Sequence, residues 1–88
     1  MIVVGIDPHM QTHTAVAIDK ATGEVVAELT VKARTPGFER LVGWARELDK
    51  ELLFAVEDGR HVSGALERHL IARGERSVRV PPRMMGES

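Results

Sequence analysis

Eighty-eight residues, 43% hydrophobic and 28% charged, have the composition of a soluble globular chain with room for a single core. The absence of cysteine excludes disulfides, thiolate zinc sites, iron–sulfur clusters and a cysteine nucleophile, and with only Trp44, Phe38 and Phe54 as aromatics there is no platform for base stacking. A formal net charge of -1 gives the whole chain no bulk attraction for nucleic acid, and the apolar start meets Asp7 too soon for a signal peptide or a spanning helix, so a cytoplasmic protein without membrane contact is expected.

The first element is Ile2-Val3-Val4-Gly5-Ile6, a continuous β-rich run that predicts a central strand covered on both faces. After the polar link from Pro8 to Gln11, the β-branched and small residues Thr12 to Ile18 make a second strand, and Asp19-Lys20-Ala21-Thr22-Gly23 supplies a turn into a third. In that third strand Val25, Ala27, Leu29 and Val31 alternate with Glu24, Val26, Glu28, Thr30 and Lys32, the period of a half-exposed edge strand. Thr35-Pro36 reads as a capping hydroxyl followed by proline at the first helical position, and the helix should run to about Lys50. Phe38, Leu41, Val42, Ala45 and Leu48 form its sheet-facing stripe. Leu52 to Val56 is a second central run, expected to be parallel to the first and ending in Glu57. A second helix from about His61 to Arg73 stops at Gly74, and Val78 and Val80 make a last short strand closed by Pro81-Pro82.

The resulting order, β-β-β-α-β-α-β, predicts an α/β domain: a mixed five-stranded sheet with helices on the sheet faces, the RNase H-like order. Residues 1–83 are assigned to this domain and residues 84–88, which have neither period nor cap, to a flexible tail.

Asp7 and Glu57 each end a buried run, so both carboxylates should leave neighbouring strands at one rim. Paired carboxylates repel, and a hard divalent cation such as Mg²⁺ resolves the repulsion; the plain alternative is that both acids only end strands in solvent. Asp58 is read as the cap of the second helix, with a further carboxylate beside the pair as the alternative, and His9 as a group able to touch a phosphate or a metal-bound water. His13 is expected to pack in the second strand, and His69 to be a satisfied core histidine. His9 and His13 lie across a strand link with no third ligand nearby, which argues against zinc. From Arg60 to Arg83 there are six arginines against two acids; the plain reading is a solvated helix face, and the functional one makes Arg60, Arg79 and Arg83, together with His9, the candidate nucleic-acid contacts.

Gly5-Ile6-Asp7-Pro8-His9, Thr12-His13-Thr14, Gly23-Glu24-Val25, Val56-Glu57, Leu66-Glu67-Arg68-His69-Leu70, Gly74 and Val80-Pro81-Pro82-Arg83 together resemble one family. It is the DEDD-type transposases of insertion-sequence family one hundred and ten, whose N-terminal domain is RuvC-like, and the resemblance runs through essentially the whole chain. It implies a DNA recombinase that cuts and rejoins strands with four acids and Mg²⁺, for which Mn²⁺ substitutes. Asp7 matches the first acid and Glu57 the second. The family's later Asp-x-x-Asp pair and its C-terminal serine domain have no counterpart here, so the resemblance implies an N-terminal fragment with half an active site and no strand cleavage of its own. It further implies DNA as partner, a structured guide RNA in some members, and a homo-oligomer for the full-length protein. One departure is Asp58-Gly59-Arg60 after the glutamate, where many members have a small residue and Thr-Gly.

Two other classes fit parts of the pattern. The arginine-rich C-terminal third suits a non-catalytic module for assembly or nucleic-acid binding. An actin-like ATPase-fold fragment also opens with strand, aspartate and hairpin, but Pro8-His9-Met10 lacks the glycines that let a backbone approach phosphate.

Overall fold

The N-terminal apolar run folds as β1 (Ile2–Pro8) and is followed by the hairpin strands β2 (Thr12–Asp19) and β3 (Val25–Lys32). Helix α1 (Thr35–Leu48), β4 (Leu52–Glu57), α2 (Gly64–Ala72) and β5 (Ser77–Val80) complete the chain of elements in this computed structural model, which describes residues 1–58 and 62–81. The strands form one sheet of order β3-β2-β1-β4-β5. Its β1–β2 and β2–β3 pairs are antiparallel, while β1–β4 and β4–β5 are parallel. The element order is the one expected, and the fold is α/β and RNase H-like.

Both crossovers, β3-α1-β4 and β4-α2-β5, step in the same direction along the sheet. Right-handed connections then put both helices on the same side. This corrects the expectation that the first strand is covered on both faces: among the described residues only one face of the sheet is covered. On that face Val4, Ile6, Ala17, Phe54 and Val56 are sealed beneath Leu41, Val42, Ala45, Leu66 and Leu70, all at most 1% exposed. Each larger aliphatic or aromatic side chain among them contributes about 1.5–3 kcal/mol relative to an exposed one. The other side of β1 carries Val3, Gly5 and Asp7, which are half-buried or exposed. A run flanked by a strand on each side is therefore central in the sheet without being covered above and below.

Local differences from the expected elements have local causes. Thr35 is not the cap of α1; Arg34 takes the extended capping conformation without a side-chain bond, and the helix starts one residue early with proline in its first turn. The helix ends at Leu48 because Asp49 returns to extended backbone. Gly37 lies so close to the end of β3 that an added Cβ would collide with the carbonyl oxygen of Lys32. Helix α2 begins at Gly64 after Ser63, so Asp58 does not cap it; its backbone N–H instead donates to the Val80 carbonyl at 2.8 Å. The stop at Gly74 is as expected: its φ of 74° lets Gly74 N–H reach the Ile71 carbonyl and Glu75 N–H the Leu70 carbonyl, a Schellman closure.

Alternation in β3 fails at its start. The register passes from Ala17↔Ala27 to Ile18↔Val25, which leaves Val26 as an extra residue, and Val25 and Val26 are 55% and 49% exposed. A bulge of this kind is a common device at sheet edges. The residues assigned to a tail, 84–88, lie outside the described residues, as does His61, the expected start of the second helix.

Candidate functional site

The parallel register of β1 and β4 runs to Ile6↔Val56, whose side chains both point into the core. One residue further along each strand, alternation turns Asp7 and Glu57 to the uncovered face, on adjacent strands about 4.8 Å apart. Asp7 is exposed and Glu57 half-buried. The two candidate acids are thus neighbours at one rim, as their positions at the ends of two apolar runs imply.

The same row continues across the hairpin, since Asp7 pairs with Thr14 and Thr14 with Thr30. The two threonine hydroxyls share a hydrogen bond at 3.2 Å. The sequence does not reveal this pairing: counted outward from the Asp19–Glu24 turn, Thr14 would stand opposite Leu29, and the bulge at Val26 moves it to Thr30. Below the row, the uncovered face becomes apolar through Val3, Val16, Ile18, Leu53 and Ala55, all half-buried. Among the described residues, one cleft lies between Arg46, Leu52 and Arg76 at the opposite rim and another between α2 and β5.

His9 folds back onto Asp7, its Nε2–H donating to Asp7 Oδ2 at 3.2 Å. Its backbone N–H donates to the Thr12 carbonyl at 2.9 Å and closes the β1–β2 turn. Arg79 is held away from this rim. In register with Val56 it faces the helix side, where its guanidinium clasps Glu67, with Nε to Oε2 at 3.0 Å, and that carboxylate pushes its pKa up further. Arg46 is likewise paired, with Glu75. Arg60 and Arg83 lie outside the described residues.

His13 packs in β2 as expected, 1% exposed and stacked on Phe38 at 5.8 Å with the rings within 7° of parallel. Neither ring nitrogen has a hydrogen-bond partner, and burial holds its pKa below the ordinary value. His69 is the exception to its expected role: it packs against Phe38 at 5.6 Å, but its Nε2 is buried without a partner, so it is not a satisfied core histidine. The helical spacing places the ring correctly and says nothing about what its nitrogens meet. Among the described residues no three metal-ligating side chains gather in one place.

The site is thus a pair of acids on the two central parallel strands of an RNase H-like sheet. The family model for DEDD-type IS110 transposases, described as transposase, matches residues 4–87, and the chain belongs to that family. No curated protein sequence gives a match. Among solved structures the chain is similar to Archaeoglobus fulgidus Pelota, at 19% identity and a TM-score of 0.57 over 90% of this chain and 26% of that one. It is also similar to the type II variant of the Aquifex aeolicus Ppx/GppA phosphatase, at 10% identity and a TM-score of 0.50 over 98% of this chain and 37% of that one. At these identities the likeness concerns the fold alone. The chain spans about a quarter of the length of Pelota and just over a third of that of the phosphatase. No helix among the described residues is long and apolar enough to cross a membrane.

Proposed function

We propose that Asp7 and Glu57 are two of the acids of a transposase that cuts and rejoins DNA by Mg²⁺-dependent phosphoryl transfer. The observation that carries this is the β1–β4 register through Ile6↔Val56, which puts Asp7 and Glu57 at the next position of adjacent strands, on the face that the described helices leave uncovered. The donor set fits a hard divalent cation: it is all oxygen, it is exposed, and with only two protein ligands it leaves room for waters and phosphate oxygens. Mg²⁺ bound there supplies charge stabilisation to a phosphate under attack. Asp7 and Glu57 would hold the ion, Asp7 from an exposed position and Glu57 from a half-buried one. Two carboxylates hold an ion weakly. The family's remaining pair of acids has no counterpart among these residues, so this chain by itself is proposed to bind metal without cleaving DNA.

Mn²⁺-induced broadening of backbone NMR signals tests the reading. Loss of signal around both Asp7 and Glu57 in the wild-type chain, abolished by Asp7→Asn, is the expected result. Unchanged Mn²⁺ affinity in Asp7→Asn, or broadening scattered over other surface acids, would refute it.

A further inference from the structure

The uncovered rim contains one contact that the pairing of two acids does not require, the hydrogen bond from His9 to Asp7. A histidine two residues beyond a strand-end aspartate is free to extend into solvent. Here it turns back, and the backbone around it is tied on every side. Pro8, before it, is buried on the core side and in register with His13. The His9 N–H is bonded to the Thr12 carbonyl, and at the turn's far side the Gln11 carbonyl accepts from Ala33 N–H at 2.9 Å. The loop is therefore pinned to β2 and to the segment after β3, which fixes where the 60% exposed His9 side chain leaves the backbone.

From this geometry we infer that His9 is a positioning residue for Asp7: its Nε2–H occupies Oδ2 and leaves Oδ1 as the oxygen presented to a divalent cation shared with Glu57. The inference rests on the metal-site reading above and adds to it a residue that does not itself touch the ion. A ligating carboxylate that can rotate freely loses entropy on binding and offers either oxygen. One held by a hydrogen bond on one oxygen is restricted in its rotation, and loss of such a partner commonly weakens metal binding by about 10–100-fold. Since Asp7 is itself half open to water, the lower end of that range applies.

The test uses the full chain and Mn²⁺ alone, with affinity read by electron paramagnetic resonance and location by NMR broadening. His9→Ala is expected to weaken Mn²⁺ about tenfold while broadening stays centred on Asp7 and Glu57. His9→Gln, whose amide N–H₂ sits near the place of Nε2, is expected to restore most of the loss. Equal affinity in wild type and His9→Ala, with broadening still at both acids, overturns this inference and leaves the metal site standing. Failure of His9→Gln to recover affinity also overturns it, since any loss in His9→Ala then reflects the turn rather than the hydrogen bond. Absence of broadening at Asp7 and Glu57 in wild type overturns the metal-site reading and this inference together.

Discussion

Replacing His13 with leucine should flatten the acid side of the stability curve. The native ring is 1% exposed, lies flat on Phe38, and has no partner for either nitrogen. Burial is the main cause of its lowered pKa, with the charge of His9 acting in the same direction; the Thr12 backbone opposes the shift without completing a hydrogen bond. A folded pKa below the unfolded one means that the unfolded chain takes up the proton first. Stability is therefore complete above the ordinary value of 6.5 and falls as pH drops from there towards the lower native value. One proton accounts for at most about 1.4 kcal/mol per pH unit, so between about pH 7.5 and pH 5.5 wild type should lose up to about 1.4 kcal/mol that His13→Leu keeps. At high pH the variant loses a ring stack of about 0.5–1.5 kcal/mol and is relieved of unpaired polar atoms worth about 1–3 kcal/mol, so its stability there should be equal or higher. Urea unfolding of both chains at a series of pH values measures the difference directly. Parallel pH profiles would refute the argument, because they would mean that the native ring protonates as readily as the unfolded one.

Gly37→Ala should cost about 1–3 kcal/mol or more by thermal unfolding, since the new methyl meets backbone rather than a side chain able to move aside; an unchanged midpoint would mean that α1 shifts freely on β3. Arg46→Met should cost about 1–2 kcal/mol, because it strands Glu75, whose side chain is 7% exposed, yet less than a fully buried pair because Arg46 is half open to water. Restoring that stability by the second change, Glu75→Gln, checks that the stranded charge is the cause.

Much of this architecture is legible in the chain. The two continuous apolar runs, the hairpin chemistry at Asp19 to Gly23 and the stripe from Phe38 to Ala45 give the element order, and the ends of the runs locate both acids. What escapes is decided by geometry between elements. The bulge at Val26 is a choice of pairing at an edge, and neither the alternation of β3 nor its composition encodes it. The exposure of one sheet face follows from two crossovers that step the same way, which a strand-by-strand reading of hydrophobicity cannot contain. The start of α1 at Thr35 reflects an extended Arg34 with no side-chain cap, so the hydroxyl and proline that mark the site mislead by one residue. His69 shows a further limit, since periodicity assigns a face to a ring without pairing its nitrogens.

The register that sets Asp7 beside Glu57 has a kinetic side. The hairpin of β1, β2 and β3 joins near neighbours, whereas β1 and β4 pair across about fifty residues. Closing that larger loop carries the greater entropy cost and gains nothing until α1 has crossed the sheet. An early intermediate that holds only the hairpin has Asp7 in place with no second acid beside it. The paired carboxylates come into being only with the longest-range strand pairing of the sheet, so their proximity reports that α1 has crossed and β4 has docked on β1.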